Sequence, residues 1–156
     1  MMLKRLAPVL ATIFLLACGG SEAPRGVAIP VTAFKDEITV TNAPSKMKSS
    51  ETVMVDVTIR NLGDAPWPHV GDPGHLYGVL LAYHWLNADG SPAVFDGIRT
   101  GLPEDLRPGA SVPVKASVQA PAGPGKYVLE FDMVQESVSW FKDRGAKAPR
   151  FPITVE

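Results

Sequence analysis

Hydrophobic and polar positions alternate over several separate stretches of this chain, and they do so with a period of two. The clearest is Thr52 to Asn61, where Val53, Val55, Val57 and Ile59 fall on one side and Met54, Asp56, Thr58 and Arg60 on the other. That spacing predicts a strand with one face in a core and one in water. Gly125 to Trp140 contains a second such run: Tyr127, Leu129, Phe131 and Met133 share one parity, and Val128, Glu130, Asp132 and Val134 share the other. It reads as a long, half-buried central strand, started by the turn-rich Ala120 to Gly125.

Tyr77 to Leu86 differs, being apolar on both parities with His84 as the one clearly polar residue on its second side. A strand of that kind lies centrally and is covered on both faces, by the opposing sheet and by a loop or partner. Asn87 to Gly90 then predicts a hairpin into Ala93 to Phe95. Ala110 to Gln119 alternates again, with Pro113 marking an edge or a bulge. Shorter strands are expected at Glu37 to Thr41 and through Phe151, Ile153 and Val155, and a short edge strand interrupted by Pro30 over Val27 to Phe34. Asn42 to Ser50, Asp96 to Pro108 and Ser137 to Pro149 read as loops. The fold class is all-β: an antiparallel sandwich of about seven or eight strands, with no stretch of 3.6-residue periodicity to compete. The 14 glycines and 15 prolines agree with a single turn-rich β domain.

The first residues follow another logic. Lys4 and Arg5 precede an apolar run, Leu6 to Ala17, shorter than the roughly 20 residues needed to span a bilayer. Residues 1–17 are therefore expected to be a signal peptide. The run ends L-L-A-C-G-G, Leu15 to Gly20, which resembles the lipobox of bacterial lipoproteins, and that resemblance implies lipidation of Cys18 as the mature N-terminus. Residues 18–26 would then form a flexible tether and residues 27–156 the sandwich. The sole cysteine would be used by the anchor, leaving the domain without a disulfide. Membrane lipid is accordingly the first expected partner, and the cell envelope the expected location. Gly19 after the cysteine resembles the pattern of lipoproteins sent to the outer membrane, facing the periplasm, in two-membraned bacteria.

Removing Lys4 and Arg5 with the leader leaves 13 basic residues against 16 acidic ones, a charge of about −3, with no basic cluster. Nucleic acid is not an expected partner.

Two sets of motifs carry family resemblances. N-L-G-D-A-P-W-P (Asn61 to Pro68), L-R-P-G-A-S-V-P-V (Leu106 to Val114) and V-Q-A-P-A-G-P-G-K-Y (Val118 to Tyr127) resemble bacterial Ig-like domains, among them relatives of the four-tryptophan Ig-like domain of an autophagy receptor, although Phe131 stands where that family has a tryptophan. Y-H-W-L-N-A-D-G (Tyr83 to Gly90), F-D-G-I-R-T-G-L-P (Phe95 to Pro103) and F-D-M-V-Q-E-S-V-S-W-F (Phe131 to Phe141) look like an Ig-like module that accompanies enzymes of bacterial surface-polysaccharide production. The second resemblance implies an accessory, non-catalytic role near glycans.

The candidate ligand-binding residues come from those strings: His84, Asp96, Arg99, Asp132, Gln135, Glu136 and Trp140. Sugar recognition needs a flat aromatic surface and nearby carboxylates, amides or guanidinium groups for the hydroxyls. The alternative is structural, with Trp85 as a core tryptophan and Arg99 pairing Asp96 or Asp132 to hold the crossing loop. A protein-docking module, using a sheet edge or the loop around Trp67, is the second functional reading. Metal binding is the third, through His69, Asp72 and His75 with His84 or a methionine, although their spacing matches no compact metal motif and no cofactor is expected. Asp132 and Glu136 make a poor glycosidase pair, since four residues of continuing strand would separate them by about 13 Å. No serine–histidine arrangement, phosphate-binding loop or cofactor fingerprint is present, so no catalytic residue is expected.

Overall fold

The computed structural model describes residues 22–156; the signal peptide expected over residues 1–17, and Cys18, lie outside the described residues. Ten strand segments form two sheets: β1 (Asp36–Val40), β2 (Lys46–Met47), β3 (Thr52–Asn61), β4 (Val79–Asn87), β5 (Pro92–Val94), β6 (Thr100–Gly101), β7 (Ser111–Gln119), β8 (Gly125–Gln135), β9 (Ser139–Trp140) and β10 (Arg150–Val155). The first sheet runs β1-β3-β7 and the second β2-β10-β8-β4-β5, with β6 added to β4 and β9 to β8. All pairings are antiparallel except β10 with β2. In chain order, β1, β3 and β7 occupy the places of Ig strands A, B and E, while β4, β8 and β10 occupy C, F and G. The chain is an Ig-like β-sandwich.

The period-two pattern places the core as expected. Val55, Val57 and Ile59 of β3, Leu81, Tyr83 and Trp85 of β4, and Leu129, Phe131 and Met133 of β8 are all buried between the sheets. Met54, Thr58 and Arg60 face solvent. Pro113 lies on β7, an edge strand of the first sheet, where a missing ladder donor is tolerated. The sheets are also joined by polar contacts at Gln119, whose carbonyl accepts from Trp85 Nε1 at 2.8 Å and whose N–H donates to the Tyr83 hydroxyl at 3.0 Å. Near the β8–β9 end, Trp67 meets Phe141 edge-on at 5.0 Å and donates from Nε1 to the Ala33 carbonyl.

Four expectations are corrected. Val27 to Phe34 forms no strand; its end is a 3-10 turn at Val31–Ala33, and the Ile29 N–H donates to the Gln135 side chain instead of to a ladder. The loops expected at Asn42 to Ser50, Asp96 to Pro108 and Ser137 to Pro149 contain the two-residue strands β2, β6 and β9. Trp67, expected in a docking loop, is fully buried. The fourth correction concerns β8, expected to be wet on its second face. Glu130 and Asp132 are both 1% exposed. The chain reverses after β8 at Ser137, in the left-handed region at φ 62°, and returns as β9 and the 3-10 turn Lys142–Arg144 beside that face.

Candidate functional site

The outer face of the second sheet is where the polar residues gather. Parity on β4 turns His84 away from the core, parity on β8 does the same for Glu130 and Asp132, and the register sets His84 opposite Glu130 and Ala82 opposite Asp132. Two segments roof this face. One is the loop after β5, from Phe95 to Arg99; the other is β9 with the following turn. Gly97 lets the first come close: its N–H donates to the Tyr83 carbonyl at 2.9 Å, and a Cβ there would collide with that carbonyl oxygen and the Tyr83 ring.

His84 lies beneath the roof, with no solvent exposure. Its Nδ1 is hydrogen-bonded to the Phe95 carbonyl, so Nδ1 carries the proton and Nε2 is left as an acceptor. The Phe95 ring centroid is 4.8 Å from the imidazole and that of Trp140 4.3 Å, with Phe95 and Trp140 edge-to-face at 5.7 Å. Arg99 sits 4.7 Å over the Trp140 ring. Its Nε donates to Glu136 at 2.8 Å, Nη2 to Asp96 at 3.0 Å and Nη1 to the Gly97 carbonyl at 3.1 Å.

The acids at this site are handled differently. Burial pushes the Glu130 carboxyl up, but Lys142 at 2.7 Å and Arg150 at 2.6 Å outweigh it and hold the group below the usual carboxylate range. Asp132 accepts only the Lys142 N–H, at 3.2 Å, and burial raises it to about 7, with the charge of Asp36 adding in the same sense. Burial lowers the His84 pKa. Near neutral pH His84 is therefore uncharged and Asp132 about half protonated, so the two do not form a salt bridge, although their side chains approach to 4.0 Å.

Of the residues singled out in the sequence, the structure brings His84, Asp96, Arg99, Asp132, Glu136 and Trp140 to one end of this face. Gln135 points elsewhere. It is fully buried, accepting from the Ile29 N–H and donating to the Val27 and Tyr77 carbonyls, so its amide is spent on holding the chain. His84 and Asp132 are sealed under the roof, and every guanidinium nitrogen of Arg99 has an internal partner, with Asp96 and Glu136 rather than Asp132. Trp85 is a core tryptophan. What this end presents to solvent is Phe95, 48% exposed, the Asp96 carboxylate, and the half-buried Trp140 and Glu136, while the exposed Val94 and Ile98 line a groove with Tyr83 and Gln119. Phe95 was missed as a site residue; the signal was an aromatic and an isoleucine set in a turn-rich loop, F-D-G-I-R, where polar residues are usual. Lys142, 12 residues from its partner Glu130, has no local signature.

His69, Asp72 and His75 do not converge. His69 pairs with Asp105 at 2.7 Å, and Asp72 Oδ1 accepts the Gly74 and Leu76 N–H groups, each at 2.9 Å. Among the described residues no group of three or more histidine, cysteine, aspartate or glutamate side chains is placed to hold a metal ion. Among them, too, no helix is long and apolar enough to cross a membrane.

No family model matches the chain, and no curated protein does. Solved structures with a similar strand layout include a β-glucosidase from Listeria innocua in complex with isofagomine (14% identity, TM-score 0.46, covering 78% of this chain and 16% of that one). Another is the CARDB domain of PF1109 from Pyrococcus furiosus (15% identity, TM-score 0.42, 78% of this chain and 95% of that one). The sporulation control protein Spo0M from Bacillus subtilis is a third (12% identity, TM-score 0.46, 78% and 49%). This chain thus corresponds to a small part of the β-glucosidase and about half of Spo0M. At such scores these likenesses say nothing of what it binds.

Proposed function

We propose that this protein is a non-catalytic binding module, held at the bacterial cell envelope by a lipid on Cys18, and that its Ig-like domain works on envelope glycans. The observation that carries the reading is the half-exposed Phe95 ring, seated on His84 and Trp140 and bordered by the Asp96, Arg99 and Glu136 charges. A ring backed by packed neighbours gives the apolar face of a sugar a surface that needs no ordering on binding. Asp96 and Glu136 are positioned by Arg99 and keep lone pairs for hydroxyl groups. The signal peptide, the lipobox and the resemblance to accessory modules of surface-polysaccharide enzymes support the same location.

The test is co-sedimentation of the mature protein with isolated envelope polysaccharide. Replacing Phe95 and Ile98 together by serine is expected to lower retention about tenfold, the size of losing one aromatic anchor, with an unchanged far-UV circular dichroism spectrum. Equal retention by the variant contradicts the reading.

A protein partner is the second reading, favoured by β5. This edge strand of the second sheet is exposed along its whole length, and Val94 at its end lines an open groove with Ile98, Tyr83 and Gln119. A strand or loop from an envelope protein would fit there. Capture of one stoichiometric protein, surviving glycan digestion and lost in the same double variant, would select this reading.

A further inference from the structure

The nine residues 18–26, expected as a free tether, are instead pinned over their described part. Ala23 is buried, and its N–H donates to Asp105 Oδ2 at 2.8 Å. The Arg25 guanidinium reaches the same carboxylate at 2.8 and 3.0 Å and donates to the Val70 carbonyl at 3.1 Å. His69 closes the clasp from the other side, with its N–H at 3.0 Å and Nδ1 at 2.7 Å from Asp105 Oδ1. Gln135 then binds Val27 and Ile29 together with Tyr77, fixing the next turn of chain to the same end of the sandwich.

Five peptide steps separate Cys18 from Ala23, a reach of at most about 18 Å. A lipid on Cys18 therefore holds the clasped end, and not some other face of the domain, close to the bilayer. That end carries three outward aliphatic side chains: Val27 at 47% exposure, Val70 at 50% and Leu76 at 40%. Val70 and Leu76 project from a rigid loop. Asp72 ties it by its own N–H to the Leu76 carbonyl and by Oδ1 to the Gly74 and Leu76 amides, and His75 and Tyr77 are held in the left-handed region at φ 62° and 67°. The clasp residue Gly26 lies against Asp72, which places Val27 beside this loop.

We propose that Val27, Val70 and Leu76, grouped around the Asp105 clasp, rest in the interfacial layer of the membrane that anchors the protein, so that the sandwich is held in one orientation rather than swinging on its tether. The proposal rests on the lipid-anchor reading. The contact is apolar and the charges around the clasp, Arg25 and Arg107 with Glu22, Glu104 and Asp105, are not net basic, so it requires no anionic lipid. With the lipid supplying the attachment, a few aliphatic side chains suffice to set the orientation.

The experiment uses the full-length lipidated protein in phosphatidylcholine vesicles carrying a shallow acyl-chain quencher, with an environment-sensitive fluorophore on V70C, L76C or, as a control on the outer face of the first sheet, M54C. Quenching several-fold stronger at 70 and 76 than at 54 is expected, and R25A, which loosens the clasp and also removes a hydrogen bond to the Val70 carbonyl, is expected to reduce the difference at 76, where Arg25 makes no hydrogen bond. Equal quenching at the three positions in protein whose intact mass shows the acyl chains overturns the orientation alone. A blue shift at 70 and 76 without quenching, the mark of self-association, also overturns it. An intact mass without acyl chains removes the anchor reading and this proposal together.

Discussion

His84 Nε2 stands 4.0 Å from Asp132 Oδ2, both inside the protein, and neither atom has a hydrogen-bond partner. With Nδ1–H given to the Phe95 carbonyl, Nε2 is an acceptor facing a second acceptor unless Asp132 holds a proton. Asp132→Asn would keep an oxygen for the Lys142 N–H and turn an amide donor toward Nε2. It is expected to stabilise the domain at pH 8 by about 1 kcal/mol, the size of one net hydrogen bond. Thermal melts would show a rise of about 3 °C.

The same pair sets a pH dependence. Asp132, at about 7 in the fold against an ordinary 3.8, binds its proton more tightly folded than unfolded, so its contribution is complete below about pH 4 and is lost as pH rises through about 7. Asp36, raised by burial to about 6, acts in the same sense at lower pH. His84 is depressed, so its contribution is present above its ordinary 6.5 and is lost as pH falls through its lower folded value. Between pH 6.5 and 8 the loss from Asp132 therefore dominates. Wild-type melting temperature is expected to fall across that window, and the Asp132→Asn curve to be flatter; parallel curves would contradict the assignment.

Gln135 is a clamp. Gln135→Ala would leave the Ile29 N–H and the Val27 and Tyr77 carbonyls without their partner and is expected to cost about 2–3 kcal/mol in urea unfolding. Fast amide exchange at Ile29 would mark the release. A purely ligand-contacting role would leave both measurements unchanged.

Gly97→Ala separates roof from core. The added methyl meets the Tyr83 carbonyl and ring, so the Phe95 loop must lift. Retention on envelope polysaccharide is expected to fall as far as in the Phe95 and Ile98 double variant, although neither side chain is altered. Circular dichroism should still report an intact sandwich.

Asp105 should release the N-terminal segment in acid. Burial raises its pKa, but hydrogen bonds from His69, Ala23 and Arg25 outweigh it and hold the group at about 2. A depressed carboxyl contributes stability above its ordinary value near 3.8 that is lost as pH falls through about 2. The Ala23 amide is expected to keep its protection at pH 5 and to lose it between pH 4 and 2.

Much of the sandwich was legible because parity is a local property. Val53 to Ile59 gave β3 its two faces, the doubly apolar Tyr77 to Leu86 marked a central strand covered on both sides, and Pro113 marked an edge. The candidate site was legible only as a neighbourhood. Whether Glu130 and Asp132 are wet depends on where the chain goes after Gln135, and no period within β8 encodes that return. The Glu130 partners Lys142 and Arg150 lie 12 and 20 residues further on, and Asp105 reaches Ala23 across 82. Such pairs follow from topology, which is why the tether looked free and the roofed polar pair looked exposed.

The central claim is that the Phe95 end of the second sheet is a glycan-binding face. Titrating fragments of envelope polysaccharide into isotopically labelled mature protein and following amide chemical shifts tests it most directly. Shifts confined to Val94 to Arg99 and Glu136 to Trp140, absent when Phe95 and Ile98 are serine, are the predicted result. No shifts in those two segments at millimolar fragment, or shifts centred elsewhere on the domain, would contradict it.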